Sequence, residues 1–136
     1  MVGFEGYLLL NDNGATIDRY IQFDTYSSSP NQREEILAIR DDNTRDLFRV
    51  TAEGTKTALV FDTKAVDLEG KIAIQDFFRN AMVDELQRKV KLTYWNDEDN
   101  VYKTTYFYIP DIKFKIKRIT KDNIFYRPLT IDLIEY

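Results

Sequence analysis

The second half of the chain carries two regular hydrophobic patterns, one after the other. Ile74, Phe77, Phe78, Ala81, Met82 and Leu86 recur at steps of three and four, with Lys71, Gln75, Asp76, Arg79, Asn80 and Glu85 between them. That spacing predicts an amphipathic helix over 69–88. Asp67 stands where an N-cap belongs, and Glu69 falls in the first turn, where negative charge meets the positive helix end. The period then changes to two. Lys89 to Trp95 sets Val90, Leu92 and Tyr94 against Lys89, Lys91 and Thr93. After the polar turn 96–100, Val101 to Ile109 sets Val101, Thr105, Phe107 and Ile109 against Tyr102, Thr104, Tyr106 and Tyr108. Ile112 to Lys117 sets Ile112, Phe114 and Ile116 against Lys113, Lys115 and Lys117, and Phe125 to Tyr136 closes the chain with Leu129, Ile131 and Leu133 on one side. Each run predicts a half-buried strand. Pro128 puts the start of the last one at an edge or bulge.

The first half is less regular. Phe4 to Leu10 reads as a strand, Asn11-Asp12-Asn13-Gly14 as a turn, and Thr16 to Thr25 as the strand returning from it, the two forming a hairpin. Tyr26 to Asn31 reads as a polar loop, because Ser and Asn favour turns and Pro30 lacks an N–H for a ladder. Gln32 to Val50 mixes charge with Ile36, Leu37, Ile39, Leu47 and Phe48, and Asp41-Asp42-Asn43 looks like a turn between two extended arms. A protruding hairpin or loop over 32–50 follows, and a segment of that kind in a small domain is usually functional. Thr55 to Asp62 is a further strand. The sum is a mainly β single domain over 1–136: an antiparallel β-sandwich or small barrel with one flanking α-helix and a long protruding arm.

Composition narrows the chemistry. The chain has no Cys and no His. Disulfides, thiolate or imidazole zinc sites, and Ser-His or Cys-His nucleophiles are therefore excluded. The net charge of −4 argues against sequence-specific nucleic-acid binding. The apolar run Tyr7 to Leu10 is too short for a signal core or a membrane span, so a product of the cytoplasm is expected. Charge is unevenly distributed: 9 basic against 16 acidic residues over 1–87, which is −7, and 10 against 7 over 88–136, which is +3. Such asymmetry suits either ordered contact between copies or an uneven solvated surface.

Few groups suggest a site. Asp41-Asp42 and Asp97-Glu98-Asp99 lack both the spacing and the glycine of a calcium loop, so they read as solvated turns. No carboxylate pair stands out for glycoside hydrolysis, and no metal ligand set or cofactor motif is present. Lys113, Lys115 and Lys117 make a basic stripe, which Lys89, Lys91 and Lys103 extend if their strands pair. The stripe fits contact with an acidic partner or a charge-protected edge strand. Tyr102, Tyr106 and Tyr108 share one side of a strand and face outward as an interface or lie under the helix.

From Leu68 onward the order of features resembles a known group. The helix LEGKIAIQDFF is followed by VKLTYWN, an acidic turn, YKTTYFYIPDIKF and a terminal TIDLIEY. This layout is similar to small structural proteins of the tail modules of tailed bacteriophages and prophages, the set with tail-tube and distal-tail folds. The segment bearing Arg33, Arg40, Arg45 and Arg49 is similar to the long loop of that set. The resemblance covers most of the chain and is strongest over 68–136. It implies a β-sandwich with a flanking helix, built into rings, commonly of six copies, and stacked with neighbouring tail proteins in the virion tail. It implies no catalysis, cofactor or membrane. Unlike larger distal-tail proteins, this chain has no room for a second, carbohydrate-binding domain. The expected function is thus a structural ring subunit, with Arg33, Arg40, Arg45, Arg49, Tyr102, Tyr106, Tyr108, Lys113, Lys115 and Lys117 at subunit contacts. The alternative is a carbohydrate- or peptide-binding module using the tyrosines and Trp95.

Overall fold

The computed structural model describes residues 3–33, 35–40, 47–51 and 55–136; over 35–40 and 47–51 it describes the backbone. The strands, in chain order, are β1 (Leu9–Asn11), β2 (Ser27–Gln32), β3 (Glu35–Arg40), β4 (Leu47–Thr51), β5 (Lys56–Asp62) and β6 (Val66–Asp67). Helix α1 (Leu68–Ala81) follows, then β7 (Met82–Asp84), β8 (Lys89–Asn96), β9 (Val101–Tyr108), β10 (Ile116–Ile119), β11 (Ile124–Tyr126) and β12 (Thr130–Glu135). The protein is mainly antiparallel β with one α-helix among the described residues.

Seven strands make the main sheet, ordered β1-β8-β9-β12-β5-β2, with β7 also on β8. Among the described residues this path has two ends, β1 and β2, so of the two expected forms, sandwich or small barrel, the closed barrel is not formed. The sheet instead folds over on itself. β8 and β5 are three places apart, which is about 14 Å in a flat sheet. Yet the Tyr94 hydroxyl of β8 lies 3.0 Å from Thr57 Oγ1 of β5. The crease is the β9–β12 ladder, which has two rungs, Ile134↔Tyr108 and Glu135↔Phe107. Between the halves lie the alternate residues of each strand: Val90, Leu92 and Tyr94; Phe107; Leu59 and Phe61; Ile131 and Leu133. α1 adds Ile74, Phe77, Phe78 and Ala81 to the same core. A three-stranded sheet, β10-β11-β6, and a two-stranded one, β3-β4, complete the fold.

Local chemistry explains where the structure departs from periodicity. The helix ends at Ala81, and 82–88 is not helical. Met82 and Asp84 pair with Val90 and Lys89, and the Asp84 carboxylate accepts the Gln87 N–H at 3.1 Å in the turn beyond. Leu86, expected on the apolar helix face, is 90% exposed. The N-cap is as expected, with Gly70 N–H donating to Asp67 Oδ1 at 3.0 Å. The turn at Asn11 forms around Gly14, which has φ +78°, but its hairpin does not. β1 pairs with β8, and the returning segment is two 3-10 turns, Asp18–Tyr20 and Phe23–Thr25. Asp18 accounts for this: its carboxylate takes the N–H groups of Leu8 and Leu9 and the Thr16 hydroxyl, which competes with strand pairing. Tyr26 to Asn31 is expected as loop, yet Ser27–Gln32 is an edge strand on β5. Pro30 is tolerated there because the ladder bulges between Ser29 and Gln32. Residues 111–115 are not in a strand. Arg88 donates to the Ile109 carbonyl at 3.1 Å and its own carbonyl accepts the Ile109 N–H at 3.1 Å, and Pro110, which has no N–H for a ladder, ends the pairing there. The terminal strand is split at Pro128 into β11 and β12, which belong to different sheets.

Two side chains set stability tests. A Cβ on Gly70 would lie 2.9 Å from Val66 Cβ and 3.2 Å from its Cγ1. Val66 is held in β6, so Gly70→Ala is expected to lose about 1–2 kcal/mol net despite a better helix propensity, read by urea denaturation. The Tyr26 hydroxyl is buried and finds no partner among the described residues, and burial holds it protonated far above the ordinary phenol range. Tyr26→Phe, which keeps the ring stacked on Phe61 at 5.8 Å, is expected to be neutral or to stabilise by up to about 1 kcal/mol. A lower thermal midpoint would contradict this.

Candidate functional site

The segment expected to be an arm is a hairpin whose strands, β3 and β4, pair only with each other among the described residues. Its register sets Leu37 opposite Val50 and Ile39 opposite Phe48, with Ala38↔Arg49 and Arg40↔Leu47 on the alternate rungs. The expected turn at Asp41-Asp42-Asn43, and Arg45, lie outside the described residues.

A polar clasp holds the root of this arm. Asn96, wholly buried, accepts the N–H groups of Glu98 and Asp99, each at 3.0 Å, and donates to Asn31 Oδ1 at 3.1 Å and the Tyr94 hydroxyl at 3.3 Å. Asn31, at φ +52°, donates to Asp99 Oδ2 at 3.0 Å. Arg33 meets Glu98 at 2.7 Å, Lys103 meets Asp99, and Ser28 meets Asp97. The Arg33 guanidinium holds the Glu98 carboxyl below its usual range, and Lys103 with Asn31 does the same for Asp99. Arg33 is therefore engaged within the chain, and the acidic turn clamps β2 to the β8–β9 connection. Because both carboxyl groups titrate lower when folded, their contribution is present above the ordinary carboxylate range near pH 4 and is lost as pH falls below it. The amide signals of Asn31 and Asn96 are expected to shift over that acid interval and to hold steady from about pH 5 to 9, as NMR titration would show.

The tyrosines separate into two environments. Tyr102 is covered by the N-terminal segment: its ring stacks on Tyr7 at 4.6 Å, its hydroxyl donates to the Tyr7 carbonyl at 2.8 Å, and Phe4 packs edge-on to Trp95 at 5.2 Å. Neither Tyr102 nor Trp95 is a free stacking platform. Tyr106 and Tyr108 face outward on the main sheet, as one of the two sequence readings has it, and the helix lies on the opposite side. Lys89 Nζ sits 4.8 Å from the ring centroids of both Tyr106 and Tyr136. Ile134, beside Tyr108, and Val60, two strands from it, extend the patch and are 47% and 38% exposed. Sequence reasoning missed both, although the alternation that buries Leu133 and Leu59 turns them outward.

The lysines do not form one stripe. Lys113 and Lys115 precede β10, Lys117 stands on it at a bulge, and β10 belongs to a different sheet from Lys89, Lys91 and Lys103. Phe114, Ile116 and Ile119 are exposed among them. Arg19, Lys64, Lys117 and Arg118 line a cleft of about 870 Å³ at the start of α1, where Asp67 and Glu69 also lie. There Arg19 lies over Tyr20 and Arg118 over Phe125, at 4.7 and 4.4 Å, while Asp67 caps the helix. Among the described residues no three metal-binding side chains group together, and no helix is long and apolar enough to cross a membrane.

A protein-family model matches the chain over residues 1–136, that of a family of unknown function. No curated protein and no solved structure matches it.

Proposed function

The chain belongs to that family, DUF6711, and from its own geometry we propose that it is a non-enzymatic structural subunit that works by associating with copies of itself. The β3–β4 arm carries this reading. A lone two-stranded ladder is marginal in water, and this one has two rungs of apolar residues, Leu37↔Val50 and Ile39↔Phe48, with no other described strand beside them. A second chain laid along the ladder would add strands to it. The clasp at its root supports the same reading, since it ties β2, the strand before the arm, to the β8–β9 turn. The exposed Tyr106, Tyr108 and Ile134 supply further contact area.

The order of helix, alternating strands and arm favours a ring of the tail tube or of the baseplate or distal-tail region in a phage or phage-derived tail, six copies to a ring, with other tail proteins above and below. Synthesis would be in the bacterial cytoplasm. Sedimentation velocity and light scattering on the purified chain, across the widest concentration range its solubility permits, test the core of this reading. The expected result is one discrete closed oligomer. A strict monomer throughout overturns it.

A further inference from the structure

Two exposed surfaces of this chain complement each other in charge and in apolar character, and they lie on different sheets. The first runs from Lys113 to Lys121. Phe114, Ile116 and Ile119 stand out of it, 40%, 51% and 66% exposed, on and beside the edge strand β10. Residues 113–122 hold five basic side chains and one acidic, a charge of +4, in a chain whose total is −4, so the remainder carries −8. Among the described residues, no carboxylate pairs with Lys113, Lys115, Lys117 or Lys121.

The second surface is the outer face of β5 and β12. Leu59 and Phe61, and Ile131 and Leu133, point into the core, so Val60, Asp62, Asp132 and Ile134 lie on the far side. Val60 and Ile134 form its apolar centre. Asp132 is opposite Val60, and Asp62 is one rung pair further on, opposite Thr130. Asp62 accepts a hydrogen bond from the Thr130 hydroxyl at 2.7 Å, and neither carboxylate has a cationic partner among the described residues. One surface is apolar residues flanked by lysines. The other is apolar residues flanked by aspartates.

We propose that the β10 strip of one copy seats on the outer β5–β12 face of the next. Ile116 and Ile119 cover Val60 and Ile134, and Lys115 and Lys117 lie against Asp62 and Asp132. The two surfaces are different patches of the same molecule, so the contact is head-to-tail and does not close a two-fold dimer; it builds a ring where its rotation closes. Opposite charges across it fix orientation and raise the association rate, and the effect falls with salt. This rests on the self-association reading above and names the faces that meet.

Reciprocal charge reversal tests it. One variant carries Lys115→Glu and Lys117→Glu; the other carries Asp62→Lys and Asp132→Lys. Each alone is expected to associate at least about tenfold more weakly than the native chain, while circular dichroism melts show that it still folds. An equal mixture restores native-like assembly, because each reversed strip then meets a reversed face and each native strip a native face. If the native chain assembles and both variants assemble equally well, this contact is wrong and the self-association reading stands. If only the lysine variant is impaired, or the mixture of two folded variants fails to recover, the acidic partner is some other surface and the proposal falls. A native chain that stays monomeric removes the parent reading and this one together.

Discussion

Phe107→Ala is expected to cost about 3–5 kcal/mol, enough to leave much of the protein unfolded at room temperature. Phe107 is wholly buried and stands at the crease of the folded sheet. It pairs with Val90 on β8 and with Glu135 on β12, and its ring meets Tyr94 edge-on at 5.4 Å. Neighbours fixed on three strands cannot collapse into the space it leaves, so the cost belongs at the upper end of that range. Phe107→Leu, which leaves a smaller void, is expected to lose about 1–1.5 kcal/mol. Tyr106, the adjacent residue, points to the other side and is 40% exposed; Tyr106→Ala is expected to change stability by less than about 0.5 kcal/mol. Urea titrations with an unchanged m-value would establish the contrast. A loss under about 1 kcal/mol for Phe107→Ala would mean that the two halves of the sheet do not close on each other here.

The pair Tyr106 and Phe107 also indicates how much could be read from sequence. In the middle of the periodic runs the sequence pattern matches the structure: Val90, Leu92 and Tyr94 on β8, Leu133 on β12, and Ile74, Phe77 and Phe78 on α1 are inside, whereas Leu86 and Val101, at the ends of such runs, are exposed. Sequence pattern failed where a local side chain overrides it or a distant strand imposes structure. Asp18 turns a strand-like stretch into 3-10 turns by taking up backbone N–H groups ten residues away. Ser27 to Asn31 has poor strand formers, and β5 alone draws it into the sheet. Pro110-Asp111 interrupts the alternation, and the apolar phase passes from Phe107 and Ile109 to Ile112, Phe114 and Ile116; the chain beyond joins another sheet, and with it the lysines. Of the candidate contacts, local alternation put Tyr106 and Tyr108 on the side away from Phe107 but left open whether the helix covers them; it lies on the other side. The covering of Tyr102 was not legible, since it depends on Phe4 and Tyr7, 95 residues or more away. The clasp was hidden for the same reason: Asn31 and Asn96 lie in turn-like sequences 65 residues apart.

Asn96→Ala is expected to lose about 2–3 kcal/mol and to act beyond stability. The side chain makes four hydrogen bonds in a fully buried position. Its loss strands the Glu98 and Asp99 N–H groups and half of the Asn31 amide, whereas the Tyr94 hydroxyl keeps Thr57. The acidic turn then no longer presents Asp99 to Asn31 or Glu98 to Arg33, and β2 loses its tether next to the arm. Hydrogen exchange is expected to accelerate at Asp97 to Asn100 and at Ser29 to Gln32 well before the core strands respond. If the arm is a contact between copies, Asn96→Ala at a temperature where it remains folded should also weaken assembly, although Asn96 itself is buried and touches no neighbour. Charge removal at the rim of the clasp, Glu98→Gln, breaks one exposed ion pair and should change stability by under about 1 kcal/mol. Equal exchange rates over Ser29 to Gln32 in Asn96→Ala and the native chain would show that the clasp does not steer the arm.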